Sequence, residues 1–141
     1  MKQKSPMKER LKAYRMLLAE IEIEEQRAKV LQNDDSLTGR RALAGIKDHV
    51  RILLSKEDAE YELLTGIINS LPRADQRQIM LARYMDGLTW DIITDLIFGK
   101  RRNFKEKRDS YRRQVFRIHG YALINANKMI VNQAKKQGKD E

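Results

Sequence analysis

The sequence predicts an all-α protein, a long N-terminal helical hairpin followed by a C-terminal helix-turn-helix unit. Three observations predict it. Apolar residues recur at the three-and-four spacing of one helix face along both halves of the chain. Two prolines and seven glycines among 141 residues are too few for a sandwich or barrel of short strands. Gly87 and Thr89 stand between two short periodic segments, in the order of a helix stop followed by a helix start.

The first element starts near Met7, where Leu11, Tyr14, Leu18 and Ile21 continue a 4-3-4-3 spacing that keeps one seam on a helix. Glu25 interrupts the seam, and Ala28 and Leu31 resume it weakly. Asn33-Asp-Asp-Ser-Leu-Thr-Gly39 has the composition of a loop. A second helix is expected from about Leu43 to Ser70, with Ile46, Val50, Leu53, Leu54, Tyr61, Leu64, Ile67, Ile68 and Leu71 on its apolar face. Neither seam lasts the ~3–4 heptads of a sustained coiled coil, so an antiparallel hairpin over residues 1–70 is expected. Such a hairpin buries one layer of side chains, which leaves room for a homodimer through these helices or for another partner.

Residues 71–141 form the second expected domain. Pro72 suits the opening of a helix because its missing N–H falls where no intrahelical partner exists. Ile79, Ala82 and Met85 continue that helix, and Gly87 can take the left-handed turn that ends it. Thr89 can cap the next helix, with Asp91 well placed in its first turn. Trp90, Ile92, Ile93, Leu96 and Ile97 give this short helix a wide face to bury. In the last helix Phe104, Tyr111, Val115, Ile118, Ala122 and Met129 share one arc at about 100° per residue. Ser110, Arg113, Gln114 and Arg117 fall on the opposite side. Phe104 sharing the arc favours a helix start near Asn103; a start at Ser110 would instead leave residues 99–109 as a basic loop.

Charge divides the chain. Residues 1–71 carry 13 Lys/Arg against 12 Asp/Glu, whereas residues 72–141 carry 16 against 8. A charge run can simply be a solvated face, but this one sits where a helix-turn-helix meets phosphate, which favours a polyanion partner. Arginine forks pair with guanine edges and glutamine amides with adenine, so Arg113, Gln114 and Arg117 are the candidates for base contact on double-stranded DNA. Thr89, Lys100, Arg101, Arg102, Lys105, Lys107, Arg108 and Arg112 are the candidates for phosphate contact.

Other chemistries find little support. The chain has no cysteine, which removes disulfides, thiolate catalysis and Cys-type zinc sites. It shows no glycine-rich phosphate loop, nucleophile elbow or metal-binding helix motif, so no enzyme, metal or cofactor is expected. His49 and His119 lie one in each half, and His119 beside the buried arc reads as a packed or hydrogen-bonding group. Glu20, Glu22, Glu24 and Glu25 spread around a helix as a solvated face. Trp90 reads as a partly buried anchor between helices. With no apolar run of bilayer length and no secretory signal at its start, the chain is expected in the cytoplasm, away from membranes.

Leu71-Pro-Arg, Ile79-Met-Leu-Ala-Arg-Tyr84, Asp86-Gly-Leu-Thr-Trp-Asp-Ile92 and Val115-Phe-Arg-Ile-His-Gly-Tyr-Ala-Leu123 together resemble region four of sigma factors. In particular they are similar to phage-encoded late transcriptional regulators of the RinA/ArpU type. The resemblance covers roughly residues 68–128. It implies a supporting helix at Thr89–Ile97, a recognition helix around Tyr111–Arg117, and a sequence-specific regulator acting in a bacterial host. The segment from Leu96 to Ser110 is longer than that family's usual tight turn. Two other functions share these features. A small-terminase-like packaging subunit would form a large ring, and a sigma-like module would bind RNA polymerase in the absence of DNA.

Overall fold

The computed structural model describes residues 5–139, and among them all regular structure is helical. The helices are α1 (Pro6–Leu31), α2 (Leu37–Asn69), α3 (Ala74–Met80), α4 (Trp90–Phe98) and α5 (Arg108–Lys139), with a π turn (Leu81–Met85) continuing α3. None of these helices is long and apolar enough to cross a membrane. The described residues divide into two compact units, Arg10–Leu64 in one and residues 5–9 with 65–139 in the other. The division therefore passes through α1 and α2, and does not fall at residue 70.

In the first unit α1 and α2 run antiparallel. Tyr14 donates its hydroxyl to Glu57 at 2.7 Å, Arg10 approaches Glu60 at 3.9 Å, and His49 lies 3.6 Å from Glu24. As positions advance along α1 their partners retreat along α2. Leu11, Tyr14, Ile21, Ile46, Leu53 and Leu64 are buried. Leu18, Leu54 and Tyr61, expected on the apolar faces, are exposed by 41%, 45% and 42%. At about 100° per residue Leu54 and Tyr61 fall at the edge of their arc, where one facing helix cannot cover them, whereas Leu18 lies within the arc of Leu11, Tyr14 and Ile21. Burial of Tyr14, then its bond to the Glu57 carboxylate, pushes its hydroxyl pKa up.

The connector is shorter than its composition suggests, because α2 begins at Leu37 and not near Leu43. Ser36 is the reason: its hydroxyl accepts the Gly39 amide at 3.0 Å and its carbonyl accepts Arg40 N, which starts the helix. The Asp34 carboxylate in turn accepts Ser36 N at 2.9 Å, and the Ser36 hydroxyl first, then this amide, hold its pKa below the usual carboxylate value. A Cβ on Gly39 would collide with that carboxyl group.

The second unit is built on α3, α4 and α5. α3 starts at Ala74, later than a helix opened by Pro72 would. Arg73 takes an extended N-cap conformation and grips Asp75 with two guanidinium nitrogens, each at 3.2 Å, while Asp75 accepts the Gln76 amide at 2.8 Å. The first backbone bond of the helix runs from Arg77 N to the Arg73 carbonyl at 3.1 Å, which leaves Pro72 in the preceding bend. The other end of the helix widens into the π turn, and Gly87 then takes φ 72. Leu88 N bonds back to the Ala82 carbonyl, six residues earlier, at 3.0 Å, a closure that the left-handed Gly87 makes possible.

Thr89 caps α4 through Oγ1, which accepts Ile92 N at 3.3 Å. The core between these helices contains Ile79, Ala82, Ile93, Phe98 and Val115, with Trp90, Ile97, Phe104, Tyr111 and Ile118 packed around it. Ile92 and Leu96, expected on the buried face of α4, are instead exposed by 46% and 64%. A nine-residue helix on a small core buries one side only.

α5 begins at Arg108, close to the later of the two starts and not at Asn103. Residues 99–107 fold as successive tight turns, Arg101 N to Phe98 O, Phe104 N to Arg101 O and Lys107 N to Phe104 O. Tyr111 stacks on Phe98 at 4.8 Å and on Phe104 at 6.0 Å, so Phe104 reaches the core from the loop. Residues 5–9 join this unit through α5: Asn127 accepts the Met7 amide at 2.8 Å and donates to Ser5 Oγ at 3.0 Å.

Candidate nucleic-acid interface

α5 is held on one side by the core and shows its basic side to solvent. Val115 and Ala122 are fully buried, whereas Arg112, Arg113 and Arg117 are exposed. Ser110, Arg113, Gln114, Arg117 and Ile118 line one shallow hollow on this helix. The three residues expected to read bases are thus brought together on one face. Among the described residues, neither Arg113 nor Arg117 has a carboxylate within 4.0 Å, so both guanidinium groups are available to an incoming acceptor.

The candidates for phosphate contact separate into three groups. Lys100, Arg101, Arg102, Lys105 and Lys107 are exposed along the turns before α5, with no carboxylate within 4.0 Å among the described residues. Arg108 and Arg112 are already paired with α4. Arg108 meets Asp95 at 3.1 Å and lies over Phe104, and Arg112 meets Asp91 at 3.5 Å and lies over Phe116. All four charged groups are about half exposed, so each pair is worth only ~0–1 kcal/mol and can exchange its carboxylate for a phosphate. Thr89 is the third case, its hydroxyl oxygen being engaged as the cap of α4.

A second hollow adjoins the first. Arg73, Asp75 and Gln76 at the start of α3, Phe98 at the end of α4, Arg101 after it, and Gln114, Arg117, Ile118, Tyr121 and Asn125 of α5 line it. Arg73, Tyr121 and Asn125 were not among the residues singled out from sequence. The spacing of Gln114, Arg117, Tyr121 and Asn125, three then four then four, was the available signal for one continuous stripe. Arg73 carries no such local signal, since only the packing of α3 on α5 brings it there. Buried Gln76 is satisfied by Asn125, whose Nδ2 donates to its Oε1 at 3.2 Å.

The far side of the unit is held by an aromatic cluster. Trp90 meets Phe116 edge-on at 5.1 Å and His119 at 4.8 Å, and the Arg83 guanidinium covers its ring at 4.7 Å. Tyr84 stacks on His119, with its hydroxyl 2.7 Å from Nε2. Burial, followed by the charges of Lys8 and Arg83, lowers the His119 pKa to about 4. The ring is neutral near pH 7 and serves as packing between the π turn and α5. Trp90 is half-buried in the same cluster, which is the anchoring position expected of it.

Among the described residues no group of His, Asp and Glu side chains could hold a metal ion. Comparison of the chain with protein-family models, with curated proteins and with solved structures finds no match.

Proposed function

We propose that the protein is a sequence-specific DNA-binding transcriptional regulator whose reading head is the first three turns of α5. The observation that carries this reading is the isolation of Arg113 and Arg117. They stand beside Gln114 on an exposed helix face and, among the described residues, lack carboxylate partners, while α3 and α4 pack against the face behind them. Arginine and glutamine on such a face match the acceptor and donor pattern of the major groove. Five cations in the preceding turns, without carboxylate partners among the described residues, supply phosphate contacts at the helix start. The resemblance to RinA/ArpU-type regulators extends the reading to late-gene control in a phage or prophage.

The test begins with selection of a preferred duplex from a randomised library. Arg113→Ala and Arg117→Ala should each cost ~1–3 kcal/mol on that duplex and little on random DNA. If both variants bind the two duplexes like wild type, this helix face does not read bases.

A second reading rests on a different surface. Ile92 and Leu96 stand one helical turn apart on the outer side of α4, beside Asp91 and Asp95, and suit a protein partner such as RNA polymerase. Capture of polymerase subunits without DNA, lost in Leu96→Glu, would favour it.

A further inference from the structure

We propose that the outer face of α1 joins two copies of this chain in a parallel two-stranded coiled coil. Met16, Ile23 and Val30 are exposed by 65%, 61% and 81%, and they stand seven residues apart. With Ala19 and Gln26 between them they form a stripe of alternating three-and-four spacing. At about 100° per residue this stripe lies opposite Tyr14 and Ile21, which face α2. α1 thus carries two seams, one used within the hairpin and one open to solvent. Ile23, Gln26 and Val30, with Glu22 and Arg27 at the margin, line an open and mainly apolar depression that can receive side chains from a facing helix.

Charge complementarity identifies the occupant as a second copy and sets its direction. In a parallel pair, a residue flanking the seam faces the partner's residue five positions later. That alignment places Arg15 against Glu20 of the second copy, and Glu22 against its Arg27, and two-fold symmetry repeats both contacts. Arg27 already donates Nη1 to Glu24 of its own chain at 2.8 Å, and its other donors remain for Glu22 of the second copy. The antiparallel alignments are worse. Setting Ile23 against Ala19 brings Glu22 onto Glu22 and Arg15 onto Lys29. Setting Ile23 against Gln26 leaves Met16 facing residue 33, beyond the end of α1. Parallel pairing also stacks like on like, Ile23 on Ile23 and Val30 on Val30.

The experiment uses the full chain without DNA, so it can fail while the DNA reading stands, and the reverse. Sedimentation equilibrium from low to high micromolar concentration should show a monomer–dimer equilibrium. Ile23→Glu should be monomeric over the same range, with an unchanged far-ultraviolet circular dichroism spectrum because the residue is exposed. The chain's lack of cysteine allows direct mapping: Met16→Cys and Val30→Cys should each form a disulfide-linked dimer alone under mild oxidation. A wild-type monomer at all concentrations, an assembly larger than a dimer, or a dimer that survives Ile23→Glu would overturn the proposal. Cross-linking only in a mixture of the two cysteine variants would overturn it as well, since that outcome requires antiparallel helices.

Discussion

At the scale of single residues, the turn into α4 rests on two positions. Gly87 holds φ 72, a conformation that costs an L-residue ~1–2 kcal/mol, so Gly87→Ala should destabilise the protein by about that amount. Thr89→Ala should cost ~1 kcal/mol through loss of the cap. Denaturant unfolding measures both. Both positions were legible in the sequence because their roles are local. His119 gives a prediction in pH. Its pKa is about 4 in the folded chain, below the ordinary value of 6.5, so between these values the unfolded chain binds more protons. Its contribution to stability is complete above pH 6.5 and is lost progressively as the pH falls toward 4. Melting temperature should therefore decline across this window in wild type, and less steeply in His119→Asn. An equal decline in both would show that the ring takes up its proton without loss of packing.

Between elements, the basic face of α5 is partly neutralised by α4. Asp91 and Asp95 hold Arg112 and Arg108, so any phosphate reaching these guanidinium groups would have to compete with a carboxylate. If the chain binds DNA as proposed, Asp91→Asn and Asp95→Asn should each tighten binding to any duplex, by up to about fivefold for a pair worth ~0–1 kcal/mol. Lys105→Ala and Lys107→Ala should weaken all duplexes alike and reduce the salt dependence by about one unit of slope per lost phosphate contact. Titrations on specific and random duplex at several salt concentrations separate these effects from base reading. The arc of Tyr111, Val115, Ile118 and Ala122 was readable from periodicity, and so was the exposed face behind it. The start of α5 was not. Phe104 has the angular position of a helical residue, but it occupies the core through a stack with Tyr111 and Phe98, a contact between segments that no local pattern encodes. The pairing of Arg108 and Arg112 with α4 was hidden for the same reason.

For the molecule as a whole, composition divides the chain at the rise in basic charge, near residue 71, but compactness divides it elsewhere. Residues 5–9 belong with 65–139, through hydrogen bonds that join positions up to 122 apart in sequence. Neither helical periodicity nor charge can reveal such a contact, because Ser5 and Asn127 are polar residues with ordinary local neighbours. The consequence is a specific dependence of the basic unit on the start of the chain. Met7 is fully buried, and its amide is held by the Asn127 side chain at 2.8 Å. Met7→Ala should cost ~2–5 kcal/mol, the range for truncating a buried side chain of this size. Asn127→Ala should cost about 1–3 kcal/mol, by leaving a polar amide without its acceptor. A fragment of residues 72–141 retains nearly all the excess positive charge, and on the proposed function it should still bind DNA, but weakly. It should also unfold at lower urea concentration than the full chain, because it lacks Met7 as well as the end of α2. Unfolding followed by the fluorescence of Trp90, the chain's single tryptophan, reports directly on this unit. If Met7→Ala leaves that transition unmoved, the first turn of α1 contributes nothing to the fold of the basic unit.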